Sequence, residues 1–340
     1  MDPKHLSYSK ISTYIGCPFE YLLKYGLGIE TRDNPYLAFG KLVHEMLDKF
    51  WDIDYKSPES FGGQFTGIWY KLVNNELESH KEIQFQYPEQ KQYMLNRGRK
   101  MLERFYLANI QRKKEGNLPI LREYRFSLKL AGKEILGVFD RIDEENKNGT
   151  SLRKIYDYKT DARPPKDIDE ANFVESFQFT FYRIAHNILF QKDAIVHAHY
   201  LQTGRIFPIK YHERPEEFVI KQIDHVWNHI ARNKFGQHIS YRCKDNCQFF
   251  LPVCKRIGEI DPKGKLERLI ENGSIICSNE KWKEYKNSKT QTELFSGVDF
   301  RIVQKTNKDS IKTNFSLGMV KEKPSKKKKD KPGQLRLKFN

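Results

Sequence analysis

The sequence predicts an α/β fold in which a mixed central sheet is flanked by helices. Three observations support this prediction. Residues 121–130 alternate between apolar and polar side chains, as in a half-buried strand. Residues 137–160 form two strand-like runs joined by a polar turn, and residues 193–211 form a hairpin pattern that turns at Thr203 and Gly204. Amphipathic helical patterns precede, separate and follow these strands, as expected for an α/β protein.

The two runs in residues 137–160 carry the residues most typical of a catalytic site. Asp140 lies in GVFDRID, and Asp157 and Lys159 lie in IYDYKT. Side chains alternate along a strand, so Asp157 and Lys159 share a face. Two carboxylates on paired strands repel each other unless a cation lies between them, and oxygen ligands suit Mg²⁺ or Mn²⁺. The alternative interpretation is a solvated hairpin edge, where Asp and Lys are common.

An amphipathic helix predicted from Phe39 to about Trp51 places Gly40 and His44 on one side. A single histidine in a helix is often structural. Beside two carboxylates, however, its imidazole would shift the metal preference towards Mn²⁺, because nitrogen is a softer donor than oxygen.

A second helix is predicted over about Asn172 to Leu189, after the D-x-K strand. Gln178 and Tyr182 are four residues apart and therefore share a face of this helix. Polar residues beside a buried stripe are usually structural. The predicted buried stripe consists of Phe173, Val174, Phe177, Phe181, Ile184 and Ile188.

Four of the five cysteines are candidates for a metal centre. Cys17 precedes a proline at a predicted helix break, and Cys243, Cys247 and Cys254 follow a C-x3-C-x6-C spacing. Four thiolates suit a [4Fe-4S] cluster or a Zn²⁺ ion, and the spacing alone does not separate the two. Cys277 is predicted to be a spare thiol.

These motifs, taken together, resemble the RecB-like branch of the PD-(D/E)XK nuclease superfamily. The resemblance is strongest to the nuclease domain of AddB helicase-nuclease subunits and to CRISPR-associated RecB-like nucleases. It implies a restriction-endonuclease-like core with a divalent ion held by His44, Asp140 and Asp157. It also implies that Lys159 acts on the attacking water and that Gln178 and Tyr182 position DNA. Stacking of an aromatic ring on a base and hydrogen bonding of an amide to a phosphate suit single-stranded substrate.

The same resemblance bears on the cysteines and on Glu123. One distant cysteine before the nuclease core and three after it is the iron-sulfur arrangement of these families, which implies a structural staple formed by the thiolates of Cys17, Cys243, Cys247 and Cys254. Each gap differs from the usual spacing by one residue, so Zn²⁺ remains the alternative. Glu123 resembles an accessory acidic residue, although an ordinary strand-end carboxylate is the favoured interpretation. Asp143 is predicted to be a turn residue.

The composition predicts a nucleic-acid partner. The chain of 340 residues has a formal net charge of +16, and residues 303–340 contribute +9 of it. The first residues lack a secretion-signal core, and no apolar run is long enough to span a bilayer, so we expect an intracellular protein, cytoplasmic or nucleoid-associated, with no membrane partner.

We expect a nuclease domain over residues 1–258, an extension of unknown fold over residues 259–319, and a basic disordered tail over residues 320–340. The tail ends in GQLRLKFN. There Gln334, Leu337 and Phe339 are candidate anchors for a DNA sliding clamp, and nonspecific gripping of DNA is the alternative.

The expected function is metal-dependent hydrolysis of DNA, as an exonuclease on single-stranded ends in replication, repair or recombination. The sequence contains no G-x-x-x-x-G-K-[ST] motif, so a helicase or ATPase partner would have to supply any motor activity. The alternative is a noncatalytic DNA-binding or assembly module that kept the nuclease fold.

Overall fold

The computed structural model describes residues 3–281, except 30–33, 78–82, 84, 148–149, 210–214, 239, 241–242, 244–246, 258–261 and 279. The side chains of residues 147, 150, 172–176, 215, 262 and 263 are also outside the description. The chain divides into a unit of residues 1–303 and a unit of residues 304–340, and every described residue belongs to the first. The tail residues Gln334, Leu337 and Phe339 lie outside the described residues.

The first part of the chain is helical. Helices α1 (Tyr8–Gly16) and α2 (Pro18–Tyr21) meet at Cys17, whose extended backbone and following proline end the first helix, as predicted. A π-helical turn follows at Leu22–Gly26. The longer helices that come next are α3 (Pro35–Phe50), α4 (Pro58–Val73) and α5 (Gln90–Lys114).

Helix α3 begins before the predicted Phe39. The Asn34 side chain caps it by accepting hydrogen bonds from the backbone N–H groups of Tyr36 and Leu37. Pro35 at its first position has a backbone angle that suits a helix start. The helix therefore starts directly after the cap.

The strands form one five-stranded sheet in the order β1-β2-β3-β4-β5. They are β1 (Leu121–Leu130), β2 (Lys133–Lys147), β3 (Thr150–Lys159), β4 (Ala194–Tyr200) and β5 (Arg205–Pro208). Only β3 and β4 pair in parallel, since helix α6 (Ile168–Phe190) connects them, and the other neighbours are antiparallel. The predicted mixed sheet with flanking helices is confirmed.

The remaining described elements are short, apart from one helix. They are α7 (Pro215–Ala231), a π-helical turn at Phe250–Cys254, α8 (Lys255–Ile257) and α9 (Pro262–Glu271). Leu266, Ile270 and Ile275 lie beyond the predicted domain boundary at residue 258 and are buried in the same hydrophobic core as residues of α1 and α2. No helix among the described residues is both long and apolar enough to cross a membrane.

Two hydrophobic cores cover the two faces of the sheet. The first core contains residues of α1, α2, α6, α7 and α9, together with Ile155 of β3. The second contains residues of α3, α4 and α5, together with Tyr158 of β3. Ile155 and Tyr158 therefore face opposite sides, as the alternation along a strand predicts.

Three other expectations from the sequence are wrong. Asp143 is not a turn residue: it lies within β2 and is fully buried, because two arginines neutralise its charge. Ile188 does not belong to the buried stripe of α6 and is 46% exposed. Helix α6 is also longer than predicted, because the Asp167 side chain caps it five residues earlier than Asn172.

Candidate active site

The candidate site lies where the side-chain alternation of β1 and β2 changes sides. Leu121, which precedes Glu123, packs on the first core, and Tyr124 and Phe126, which follow Glu123, pack on the same core. A regular strand would place Leu121 and Tyr124 on opposite faces. The irregularity coincides with Glu123, whose φ of 41° is in the left-handed region that non-glycine residues rarely adopt.

The same change occurs on the neighbouring strand. Phe139 and Ile142 of β2 both belong to the first core, although they are three residues apart. The register pairs Arg122 with Arg141 and Tyr124 with Phe139, so Glu123 and Asp140 occupy facing positions between two regular pairs. The local distortion therefore brings two carboxylates together at one point of the sheet, a placement typical of strained functional sites.

His44 of α3 completes this group. Its Nδ1 lies 3.5 Å from Asp140 Oδ1 and 3.9 Å from Glu123 Oε1, and its Nε2 lies 3.0 Å from the backbone oxygen of Tyr158. A carbonyl oxygen accepts only, so Nε2 carries the proton in this contact and the Nδ1 of the neutral imidazole is left to bind a metal. The other oxygen of Asp140 accepts a hydrogen bond of 2.7 Å from the backbone N–H of Tyr158.

The pKa shifts of this group reflect crowded charges. Burial lowers the pKa of His44, but the carboxylates of Asp140, Asp157 and Glu123 outweigh burial and raise it to about 9. Burial and the nearby charge of Asp140 raise the pKa of Glu123 to about 7. A divalent cation between these groups would relieve the repulsion between carboxylates that raises the pKa of Glu123.

The donor atoms fit such a cation. One ligand atom each from His44, Glu123 and Asp140 lie within 4.8 Å of one another. One imidazole and two carboxylates suit Mn²⁺ or Mg²⁺, with the nitrogen favouring Mn²⁺.

A chain of hydrogen bonds runs from Asp157 and Lys159 on β3 to α6. Lys159 Nζ lies 3.0 Å from Asp157 Oδ2 and donates to Gln178 Oε1 at 2.6 Å. Gln178 Nε2 in turn donates to Asp157 Oδ1 at 2.9 Å and lies 3.2 Å from the Tyr182 hydroxyl. Burial raises the pKa of Tyr182 well above its ordinary value, so its hydroxyl stays protonated. The ammonium of Lys159 is thus held in one place, as a group that stabilises developing charge must be.

Asp157 differs from Asp140 in its surroundings. It is 6% exposed, and its oxygens contact the ammonium of Lys159 and the amide of Gln178, whereas Asp140 lies against His44. Asp157 is nevertheless close enough to raise the pKa of His44. Its role as a metal ligand stays a prediction.

Strand β2 also carries a buried ion pair next to Asp140 in the sequence. Arg141 donates to both oxygens of Asp143, at 2.9 and 2.5 Å, and Arg112 of α5 donates to the same carboxylate. The Arg141 guanidinium also lies over the rings of Trp51 and Tyr156. These contacts join α5 and the residue that ends α3 to the strand that carries Asp140.

Three of the four predicted cluster cysteines, Cys17, Cys247 and Cys254, pack against the first core, and the Cys243 thiol lies 3.8 Å from the backbone oxygen of His238. None of them forms a disulfide. Burial and the neighbouring thiols, including those of Cys17 and Cys243, raise the pKa values of Cys247 and Cys254 to about 12.

Backbone contacts bring the distant Cys17 to the other three. The Phe19 N–H donates to the Gly236 carbonyl at 3.2 Å, and His238 Nδ1 lies 2.9 Å from the Gly16 carbonyl. Burial raises the pKa of the Cys17 thiol, against the opposing effect of hydrogen bonds from the backbone N–H groups of His238, Glu20 and Phe19. The contacts from Phe19 and Gly16 join the segment of Cys17 to the segment that leads into Cys243, and cysteine thiolates are ligands of both iron-sulfur clusters and zinc.

Cys277 lies elsewhere: its thiol donates to the Leu27 carbonyl at 2.9 Å. At the candidate active site, the structure brings together all six predicted residues, namely His44, Asp140, Asp157, Lys159, Gln178 and Tyr182.

Glu123 lies within the candidate site and not at an ordinary strand end, the interpretation that its sequence context favoured. The signal that could have identified it is the pairing of its strand with the strand of Asp140. The hairpin turn at Ala131 and Gly132 fixes which residues of the two strands face each other. Counting back from that turn places Glu123 beside Asp140.

Comparison with known proteins agrees with this geometry. Residues 5–255 match the family model described as the PD-(D/E)XK nuclease superfamily. The B component of the ATP-dependent helicase/deoxyribonuclease of Clostridium perfringens is 27% identical over 180 residues, which cover 46% of this chain and 15% of that protein. Its counterpart in Clostridium botulinum is 26% identical over 216 residues, which cover 57% and 18%. The chain thus matches less than a fifth of the length of these relatives.

A solved structure from Eubacterium rectale, named "Putative exonuclease", covers 67% of this chain and 79% of its own, with 15% identity and a TM-score of 0.39. The family match spans most of the chain, including every described element from α1 to the π-helical turn at Phe250–Cys254. The chain therefore belongs to the PD-(D/E)XK nuclease superfamily, as its resemblance to the RecB-like branch predicts.

Proposed function

We propose that this protein is a divalent-metal-dependent deoxyribonuclease that hydrolyses phosphodiester bonds. The observation that carries the proposal is the meeting of His44, Glu123 and Asp140 with the hydrogen-bonded chain from Asp157 through Lys159 to Gln178. A structural hairpin edge would not need an imidazole, three carboxylates and an ammonium in one partly buried place, because burying unneutralised charges is costly.

Each residue has a distinct part in the proposal. His44, Asp140, Glu123 and Asp157 would hold Mn²⁺ or Mg²⁺, which supplies a Lewis acid for phosphate oxygens and activates water when bound. Lys159 stabilises the charge that develops on the phosphate, because Asp157 and Gln178 hold its ammonium in place before the reaction begins.

The test is the cleavage of end-labelled DNA with Mn²⁺ or Mg²⁺ by the parent protein and by Lys159→Met. We expect the variant to lose about 10²–10³-fold in kcat, the usual cost of removing one preorganised charge-stabilising donor. Lys154→Met is a matched control, because Lys154 lies on the same strand and pairs with Glu145 instead. Parental cleavage by Lys159→Met, or binding without any metal-dependent product, would contradict the proposal.

We further propose that the substrate is a single-stranded DNA end, in replication, repair or recombination. Two observations support this proposal. The chain is basic, and its relatives are named as subunits of a helicase/deoxyribonuclease. Circular single-stranded DNA tests the requirement for an end. An exonuclease leaves the circle intact while it degrades the linear form, whereas cutting of the circle would identify an endonuclease.

For the cysteines we propose a structural [4Fe-4S] cluster held by Cys17, Cys243, Cys247 and Cys254. The contact of His238 with both the Gly16 carbonyl and the Cys243 thiol supports it, because it brings Cys243 to the segment that carries Cys17. Iron, sulfide and zinc content and the visible spectrum of anaerobically purified protein form the test. Cys17→Ser should lose iron and Cys277→Ser should keep it, whereas zinc without iron would refute the iron-sulfur assignment.

Partners and domain boundaries are also proposals. A helicase or ATPase that feeds DNA to the site is supported by the helicase/deoxyribonuclease relatives. We retain a nuclease domain of residues 1–258, an extension of residues 259–319 and a tail of residues 320–340 that contacts a sliding clamp. Deletion of residues 334–340 should abolish co-purification with the clamp and leave the cleavage of short DNA unchanged.

A further inference from the structure

Helix α3 carries two exposed apolar side chains in its first turn, two turns before the candidate metal ligand His44. Tyr36 and Leu37, in the first turn, are 44% and 51% exposed, and Lys41 and His44 follow along the helix. Leu37 and His44 are seven residues apart, so they are separated by about 10 Å along the axis and lie on nearly the same side. This distance is about the length of three stacked bases.

A second exposed ring stands on the neighbouring helix. Tyr93 of α5 is 47% exposed, and the guanidinium of Arg97 lies 5.5 Å from the centre of its ring. Arg97 itself is only 5% exposed and lies over the ring of Phe39 on α3 as well. It is therefore a buried cation placed between a core ring and a surface ring.

Arg97 ties this surface to the catalytic strand. Its Nη2 donates to the backbone oxygen of Thr160 at 2.8 Å, and Thr160 directly follows Lys159. Its Nε donates to the Gln202 side chain at 3.2 Å. Gly40 of α3 also lies against Thr160, because a Cβ on Gly40 would lie 3.4 Å from the Thr160 hydroxyl oxygen.

The two exposed tyrosines therefore lie at one end of the structure. Phe39 contacts Arg97 near the start of both helices, and Phe50 contacts Phe105 further along, so α3 and α5 run in parallel. Tyr36 precedes Gly40 by one turn and Tyr93 precedes Arg97 by one turn, and both Gly40 and Arg97 meet Thr160.

We propose that Tyr93, braced by Arg97, and Tyr36 form a base-stacking site for unpaired nucleotides of the DNA strand next to the candidate active site. The inference rests on the proposed nuclease function and names how that site selects single-stranded substrate. Bases in a duplex are already stacked on one another, so a tyrosine ring gains little from them, whereas an unpaired base offers its face. The exposed ammonium of Lys41 contributes charge complementary to the phosphates.

The experiment measures DNA binding without divalent cations, so that no cleavage occurs. Fluorescence anisotropy gives the Kd of a labelled oligothymidylate and of a matched strand with abasic sites, for the parent, Tyr93→Ala and Tyr93→Phe. Tyr93→Ala should raise the Kd for the normal strand by about 5- to 150-fold, the cost of one lost base–aromatic stack. Tyr93→Phe should bind like the parent, because the ring is kept.

Two further readouts separate stacking from a structural role. On the abasic strand the parent should bind weakly and Tyr93→Ala should cause no further loss, since there is no base to stack. The slope of log Kd against log salt should be the same for Tyr93→Ala and the parent, because no charge is removed. Tyr70→Ala is the matched control, since Tyr70 is 49% exposed on α4, which carries none of the candidate site residues.

Equal weakening on normal and abasic strands, or equal losses in Tyr93→Phe and Tyr93→Ala, would overturn the stacking site. A loss in Tyr70→Ala as large as that in Tyr93→Ala would do the same. Binding without metal also separates the two proposals. If the parent never cuts DNA but Tyr93→Ala still loses base-dependent binding, the nuclease function fails while the stacking site stands.

Discussion

The ion pair of Arg141 and Asp143 on β2 should be essential for stability. Asp143 is fully buried, and Arg141 is 4% exposed and donates two hydrogen bonds to its carboxylate. Asp143→Ala would leave the Arg141 charge buried without its partner, which typically costs about 3–5 kcal/mol in the free energy of unfolding. For a domain of this size the loss corresponds to a melting temperature lower by roughly 6–20 °C.

Urea unfolding followed by circular dichroism gives the change in free energy. The matched control is Glu145→Ala, on the same strand, because the Glu145 carboxylate is 37% exposed and pairs with Lys154 at the surface. Such exposed pairs contribute about 0–1 kcal/mol. If Asp143→Ala and Glu145→Ala destabilise the protein equally, the reasoning about buried charge is wrong.

Two additional measurements sharpen this prediction. A double variant, Arg141→Met with Asp143→Leu, should recover much of the loss, since apolar residues of similar volume often replace a buried pair at little cost. Burial raises the pKa of Asp143, but its bonds to Arg141 and Arg112 outweigh burial and lower it below its ordinary value. The carboxylate therefore contributes stability above its unfolded-state pKa of about 3.9, and this contribution is lost as the pH falls through the lower folded-state value.

Three further predictions concern β2, the metal ligands and the hydrogen-bonded chain. Gly137→Ala should lower the free energy of unfolding, measured with urea, by about 1–3 kcal/mol, because the new Cβ would lie 2.2 Å from the ring of Phe126. The control is Gly63→Ala, whose new Cβ meets nothing within 4 Å and which should be neutral or stabilising. Burial lowers the pKa of His44, but the neighbouring carboxylates outweigh burial and raise it to about 9, so a bound metal ion must displace a proton from His44 below that pH. Calorimetric titration should therefore show that the affinity for Mn²⁺ rises about tenfold per pH unit from about pH 7 to pH 9. Gln178→Leu should lower kcat for DNA cleavage by about 10-fold or more while binding of DNA without metal is kept, since both Lys159 and Asp157 lose a partner.

One result would contradict each of these three predictions. A Gly137→Ala protein as stable as the parent would mean that the Phe126 ring moves aside at no cost. Metal affinity independent of pH in this range would mean that His44 is not a ligand. An unchanged kcat in Gln178→Leu would mean that the position of Lys159 does not depend on the amide.

Local signals in the sequence were sufficient for much of the fold. The helix break at Cys17 and the hairpin of β4 and β5 depend on nearby residues: a following proline and the turn at Gly204. These effects act within a few residues of the chain, so a single sequence displays them. The error at Asp143 has a different origin. The partners of Asp143 are Arg141, two residues earlier on the same strand, and Arg112 on helix α5. The contact with Arg112 depends on how α5 packs on the sheet, which no local pattern shows.

The role of Glu123 depends on geometry that no local pattern contains. With regular alternation along β1, only one of Leu121 and Tyr124 could face the first core. Both pack on that core, because Glu123 between them adopts a left-handed backbone. A strained residue of this kind costs about 1–3 kcal/mol, so the surrounding structure must hold it. The same strain lets Glu123 and Asp140 meet His44, and we infer that it persists because a straight strand would separate the ligands. Glu123→Gly tests this: it should remove the strain and stabilise the metal-free protein by up to about 2 kcal/mol, after the entropic cost of glycine, while weakening Mn²⁺ binding. A variant that is less stable than the parent and binds Mn²⁺ equally well would show that the distortion serves packing and not the site.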